Sequence, residues 1–303
     1  MHMGPVRRTQ KTALLHLLPL LIPFLLLFVW GVGYTVFGSL DTGSGDVGLG
    51  NAGLGHAGLE HYRAALSDPM LRASVFHTLV VAFTSALLSV ALGTFLAVGM
   101  WRLPRRFAAA ATLYKIPIIL PHLTAAFIVM VLLSRSGVLA SVVHHLAGSG
   151  TADGYPFPDL LYGDSSVGLV AAYVWKEAPF AALLILSVLT KLDYDLVHTG
   201  RMLGGGRLFV FRRIIYPHIA PVMDTSFIIL FLYTLGAFDI PYLIGASSPR
   251  MLSITVYNLY FRRELAVRPE ALALLSLLFA FSLIFVAAFF RITQRMRGRV
   301  RLS

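Results

Sequence analysis

Six apolar runs, each long enough to cross a lipid bilayer, constrain this 303-residue chain more than any other feature. A hydrocarbon core about 30 Å thick needs roughly 20 helical residues at about 1.5 Å each. The runs fall near Leu14–Phe37, Val75–Met100, Ala108–Leu133, Val167–Leu189, Val222–Ile244 and Ala271–Phe290. No water reaches backbone amides inside lipid, so segments of this length and polarity are predicted to be α-helices. Composition agrees: 57% of residues are hydrophobic and 13% charged, roughly half the charged share of a soluble domain. So few charges cannot cover a water-facing surface. The expected fold class is an all-α polytopic membrane protein with six transmembrane helices.

Charge sets the expected orientation. Arg7, Arg8 and Lys11 precede the first span; Arg102, Arg105 and Arg106 follow the second; Arg201, Arg207, Arg212 and Arg213 follow the fourth; Arg291, Arg295, Arg297, Arg299 and Arg301 follow the sixth. With six spans these groups share one side, and the positive-inside rule makes that side the cytoplasm, with both termini in. The last outer loop departs from this pattern, with Arg250, Arg262, Arg263 and Arg268 against Glu264 and Glu270. The net charge of +11 therefore follows membrane topology and anionic lipid and gives no indication of a nucleic-acid partner. The chain has no cysteine, which excludes disulfides and thiolate chemistry. The first run is too long for a signal-peptide core, so no cleavable leader is expected.

Three loop segments have order of their own. Gly58–Leu71 reads as a short amphipathic helix stopped at Asp68-Pro69, and 43–58 before it is glycine-rich. Leu252–Phe261 is apolar but too short to span, which predicts a helix in or near the outer interface. Between His198 and Pro221 the sequence HTGRMLGGGRLFVFRRIIYPHIAP holds four arginines and no acid. There Leu192–Leu203 is predicted to be a short helix, Gly204-Gly205-Gly206 a sharp corner, and Arg207–Tyr216 a second helix ended by Pro217 and Pro221.

Charges inside spans are costly, about 2.5–3.5 kcal/mol on insertion scales, and face cavities or partner helices. Lys176 and Glu177 lie within the fourth span between Trp175 and Pro179; Asp224 and Asp239 lie near the two ends of the fifth. Adjacent helical residues point about 100° apart. One of Lys176 and Glu177 is thus expected to line a pathway while the other bonds a neighbouring helix or subunit. The alternative is that all four charges hold subunits together. Pro117, Pro121, Pro179 and Pro241 are candidate kinks, for gating or for static packing. The sequence carries no phosphate-binding G-x-x-x-x-G-K-[ST] loop and no H-E-x-x-H pair. No metal or cofactor is expected on this chain.

The basic loop resembles that of the permease subunits of binding-protein-dependent ABC importers. Their loop is patterned E-A-A, three residues, G, nine residues, I, one residue, L-P. Aligned on FRRIIYP, Gly204 falls on the family glycine, Ile214 on the isoleucine and Tyr216-Pro217 on L-P. His198-Thr199-Gly200 falls on E-A-A, with His198 in place of the glutamate. Further segments are similar in the family's order: LLPLLIPFLLLFVWGVGYTVFGSL, GLEHYRAALSDP, FHTLVVAFTSALLSVALG, YKIPIILPHLTAAF, VWKEAPFAALLILSVLTKLD, and GAFDIPYLIG followed by RPEALAL. The last pair is closer in flavour to polyamine and other organic-solute permeases.

The resemblance implies a type I permease fold in a prokaryotic cell membrane. It implies a second permease subunit (or a second copy), an extracytoplasmic solute-binding protein, and two cytoplasmic ATPase subunits that hold the ATP and Mg. It makes His198, Thr199, Gly200, Arg201, Gly204, Gly205, Arg207, Arg212, Arg213, Ile214 and Pro217 the ATPase-coupling residues. Trp175, Lys176, Glu177, Asp239 and Pro121 become candidates for the translocation pathway. Intramembrane acids suit a cationic solute such as a polyamine; a sugar or phosphorus-containing solute is the alternative cargo. A polytopic membrane enzyme and an ion-driven secondary transporter are the rival classes. The expected organisation is a cytoplasmic segment 1–13, a first helix and outer loop 14–72, a core 73–291 containing the coupling loop 192–217, and a basic tail 292–303.

Overall fold

The computed structural model describes residues 5–40, 59–104, 110–147, 157–163, 165–261 and 267–300. The glycine-rich 43–58, the start of the third apolar run at Ala108, and Arg105, Arg106, Arg262, Arg263, Glu264 and Arg301 lie outside them, as do the side chains of Arg7, Arg8, Lys11, Arg297 and Arg299. Every regular element among the described residues is helical. Six helical stretches are long and apolar enough to span: His16–Ser39, Pro69–Trp101, His122–Leu146, Val167–Leu189, Arg207–Gly236 and Arg268–Arg295. The chain divides into two compact units, 1–68 with 256–284 and 69–255 with 285–303.

In the smaller unit, α1 (Pro5–Ser39) turns most of its apolar side chains outward, Leu20 and Leu27 being 73% and 74% exposed, as a lipid-facing helix must. The amphipathic helix α2 (Glu60–Ser67) stops where predicted, at Asp68. Tyr62 of α2 is tied to Ser39 Oγ at 2.6 Å.

The larger unit is built on two parallel helices, α3 (Pro69–Trp101) and α7 (Val167–Leu189). Their facing stripes are small: Ala82, Ala86, Ser89, Gly93 and Ala97 meet Ala172, Ala178, Ala181 and Ala182, all buried. Without a hydrophobic drive between helices in lipid, small residues bring the backbones into dispersion contact. Gly93 marks the closest approach, since a Cβ there would lie 2.7 Å from Ala181 Cβ and 2.8 Å from the Ala178 carbonyl. One end of the pair is pinned by His77 Nε2 and Ser166 Oγ at 2.6 Å.

Two apolar runs predicted to be continuous are broken. The third is a 3₁₀ turn (Ala110–Lys115), α4 (Ile116–Ile119), an extended Leu120, and then α5 (His122–Leu133) and α6 (Val138–Ala147). Pro121 has no amide hydrogen, so the helix stops before it. The fifth ends at Gly236; Ala237 is extended and α11 (Asp239–Ile244) starts afresh. α12 (Leu252–Phe261) has the predicted bounds, and α13 (Arg268–Val300) is the sixth span.

A second difference lies at Pro217 and Pro221, which do not end the helix that follows the glycine corner. α9 (Arg207–Val210) passes through one wide turn (Phe211–Ile215) directly into α10 (Tyr216–Gly236). Tyr216 N–H bonds the Phe211 carbonyl five residues back. The wide turn re-phases the ladder so that Pro217 enters at a first-turn position, where no amide hydrogen is needed.

Gly93→Val should force α3 and α7 apart at a cost of about 1–3 kcal/mol, seen as a lower thermal midpoint of the detergent-solubilised protein. Gly99→Ala, with nothing within 4 Å of the added Cβ, should leave the midpoint unchanged or slightly higher. Equal effects of the two would contradict this packing.

Candidate functional site

The loop between the fourth and fifth spans is a rigid bracket. Asp193 caps α8 (Tyr194–Met202), its side chain accepting from Asp195 N–H at 3.0 Å. The helix closes with paired bonds, Gly205 N–H to the Gly200 carbonyl and Gly204 N–H to the Arg201 carbonyl, both 3.0 Å. This closure requires a left-handed residue, and Gly204 supplies it at φ +81°. Gly200 lets α8 lie against the wide turn, because a Cβ there would come within 2.6 Å of Ile214 Cδ1. Val197, Val210 and Ile215 are buried with Ala97, Ala182, Ile185 and Leu189 in one core, so the bracket is fused to α3, α7 and α10.

The outer face of the bracket is open. His198, Thr199, Arg201, Gly204, Arg207, Arg212, Arg213 and Pro217 are exposed, Gly205 and Ile214 half-buried, and Gly200 buried. The His198 ring lies 5.8 Å from that of Tyr194, and Tyr194 lies 4.9 Å from Trp101, both pairs tilted. The tip is apolar: Met202 and Leu203 are 88% and 83% exposed, flanked by exposed Leu208 and Phe209. Sequence reasoning, fixed on the arginines, passed over this tip; its signal was an apolar pair on each side of three glycines.

The second feature is the pair of helix breaks. Lys176 and Glu177 are both buried, at 6% and 4% exposure, and reach to different neighbours of α7. Lys176 Nζ donates to the carbonyls of Pro117 at 2.5 Å and Ile118 at 3.2 Å, and to that of Leu120. Those groups lost their helical partners where Pro121 interrupts the ladder, and the ammonium replaces them. Glu177 Oε1 accepts from Thr234 Oγ1 at 2.8 Å, one turn before the break in the fifth span. Neither charge lines an open surface of this subunit; each ties a neighbouring helix.

Around these ties, Pro121, Trp175, Tyr233 and Asp239 are exposed and His122 is half-buried. The His122 and Tyr233 rings lie 5.1 Å apart, and Phe238 stacks on Tyr242 at 5.1 Å. The two breaks thus meet in a patch carrying one acid, an imidazole and several aromatic faces at membrane depth. Asp239, Trp175 and Pro121 were legible as candidates; His122 and Tyr233 were not, because only folding brings them beside Asp239. Among the described residues no group of three or more acidic or imidazole side chains could hold a metal ion.

The profile of the family described as "Binding-protein-dependent transport system inner membrane component" matches residues 89–298, from the middle of α3 to the end of α13. This chain belongs to that family. It is an ABC importer permease, a transport subunit; ATP hydrolysis in these systems belongs to separate subunits. The permease is 22% identical over 241 residues to the sulfate transport system permease protein CysT of Salmonella typhimurium, covering 79% of this chain and 82% of the relative. It is 28% identical over 237 residues to the sn-glycerol-3-phosphate transport system permease protein UgpA of Pectobacterium atrosepticum, covering 77% and 75%. A crystal structure of a bacterial ABC transporter importing the acidic polysaccharide alginate superposes with a TM-score of 0.75 at 18% identity, over 95% of this chain and 98% of that one. A further structure of an alginate transporter, in complex with alginate pentasaccharide-bound periplasmic protein, gives 0.74 at 18% over 96% and 97%. The fold is that of the type I importer permeases.

Lys176→Met should strand the carbonyls of Pro117, Ile118 and Leu120, at about 1–3 kcal/mol for each buried group left unpaired. The permease should lose thermal stability markedly in detergent. Asp239→Asn, at an exposed position, should stay within about 0.5 kcal/mol of the parent. Matching midpoints for the two variants would contradict the carbonyl-capping role of Lys176.

Proposed function

We propose that the bracket 194–216 is the contact through which cytoplasmic ATPases drive this permease. It carries an apolar tip, Met202 and Leu203, inside a rim of Arg201, Arg207, Arg212 and Arg213. An apolar plug with a basic rim fits a hydrophobic groove edged by acids. The single observation that carries this reading is the fusion of the bracket to α7 and α10 through Val197, Val210 and Ile215. A push on the tip therefore moves the two spans that hold Lys176, Glu177 and Thr234. ATP and Mg bind on the partner ATPases, and closing that pair draws the brackets of two permease subunits together. Both termini face the cytoplasm of a prokaryotic cell, and an extracytoplasmic binding protein delivers solute; the similar alginate transporter is seen in complex with an alginate pentasaccharide-bound periplasmic protein. His198 stands where the family carries a glutamate, so the ATPase contact here does not use a permanent anion at that position.

The solute path runs past the paired helix breaks. Asp239 supplies a carboxylate, and Tyr233, Tyr242 and Trp175 supply aromatic faces, a combination that recognises organic cations such as polyamines. The cargoes named for the two relatives, sulfate and sn-glycerol-3-phosphate, favour a second reading in which the solute is an anion. In that reading His122 rather than Asp239 contacts it.

Gly204→Val places a β-branched side chain in a left-handed conformation that costs about 1–2 kcal/mol for any Cβ. In proteoliposomes holding the assembled transporter, ATP-driven uptake should fall at least tenfold per complex, and undiminished uptake would argue against coupling through the bracket. For the cargo, Asp239→Asn should reduce spermidine uptake about tenfold, the loss of about 1.4 kcal/mol from one charged contact. Spermidine uptake unaffected by Asp239→Asn would sink the cation reading, and uptake of sulfate or sn-glycerol-3-phosphate abolished by His122→Ala would favour the anion one.

A further inference from the structure

A groove of 530 Å³ runs along the outer face of α3 toward the bracket, bordered by Ala91, Phe95, Gly99, Arg102, Arg207 and Phe211 among others. We propose that it is a binding site for one anionic phospholipid, an acyl chain lying along α3 and the headgroup phosphate held between Arg102 and Arg207.

Three features select this occupant. The first is length. Ala91 and Arg102 mark the two ends on α3, eleven residues apart, or about 16 Å at the helical rise. One leaflet of the hydrocarbon core is about 15 Å deep. The groove therefore measures one acyl chain, from the bilayer midplane to the headgroup level. The second is the distribution of polarity. The walls are apolar apart from Thr94, and both cations stand at the end where span two leaves the membrane. The hydroxyl of Thr94 is spent on the Val90 carbonyl at 2.7 Å, which leaves no polar group deep in the groove for a polar solute. The third is that neither arginine has an ion pair among the described residues, where the single salt bridge is Arg135–Asp159. Two guanidiniums lining the same groove match a phosphate's charge and its several acceptor oxygens.

The groove's floor is open at Gly99, where an added Cβ would meet nothing within 4 Å. A leucine there would extend from that open position into the groove, and it replaces a poor helix former. Because Arg207 and Phe211 belong to the bracket, a lipid in this groove bridges α3 to the element assigned above to ATPase contact. The lipid assignment itself stands on the groove and is independent of that reading.

The test uses the full-length permease reconstituted in phosphatidylcholine vesicles with trace spin-labelled phosphatidylglycerol or spin-labelled phosphatidylcholine. The motionally restricted fraction of each is read by electron paramagnetic resonance. The parent protein should restrict phosphatidylglycerol several-fold more than phosphatidylcholine. Arg102→Gln should cut that excess by half or more. Gly99→Leu, which changes no charge, should do the same, and so separates the groove from the general attraction of a basic protein for anionic lipid. Equal restriction of the two lipids by the parent, or an excess undiminished in Gly99→Leu, would overturn the proposal.

Discussion

A helix broken inside hydrocarbon leaves carbonyls with no water to satisfy them, and the ammonium of Lys176 answers that need in the third span. Much of the larger unit is arranged so that this side chain arrives where the break is. The small-residue stripe of α3 lets α7 approach closely. α7 then presents Lys176 to the break at Leu120 and Glu177 to Thr234 beside the break at Ala237. Two adjacent residues of one helix thus hold both interruptions, by a cation bonded to backbone oxygens and an acid bonded to a hydroxyl. A charge placed at such depth is expensive, and for Lys176 the cost is offset by bonds to carbonyls that would otherwise be unpaired themselves.

The same helix links the breaks to the bracket. Ile185 and Leu189 at the far end of α7 share a core with Val197, Val210 and Ile215. The bracket, α7 and the early part of α10 therefore form one mechanical piece, with the polar patch around Asp239 at one end and Met202 and Leu203 at the other. The wide turn Phe211–Ile215 belongs to this logic. It lets the chain pass from bracket to span without a loop, so displacement of the tip is not absorbed by a flexible joint.

The span count was legible in the sequence because twenty-residue apolar runs have few alternatives in lipid. The stop of α2 at Asp68-Pro69 and the bounds of α12 were legible for local reasons, a proline and a shift in composition. So was the corner at Gly204, since three glycines between two helical patterns mark a turn. What escaped were features set by tertiary contacts. The break at Ala237 and Phe238 was marked in the sequence only by Gly236, Asp239 and the candidate kink Pro241, within a run read as one span; the packing of α11 against α5 and α7 and the bond from Ser253 Oγ to the Ala237 carbonyl go with it. Pro217 and Pro221 looked like helix stops, because a wide turn that re-phases the backbone ladder leaves no mark in composition. Lys176 and Glu177 were visible as charges in a span, but their partners, three backbone oxygens and the hydroxyl of Thr234, lie more than fifty residues away in the chain.

On the proposed reading an ATPase grips the bracket at Met202 and Leu203. The chain contains no cysteine, so a single Met202→Cys variant of the full transporter carries one unambiguous reporter on this subunit. With a short thiol-to-amine cross-linker, that residue should join the permease to a surface amine of the ATPase subunit, with a yield that changes when ATP is added. Labelling of Cys at this position by a membrane-impermeant reagent from the binding-protein side, with no ATPase adduct, would contradict the account.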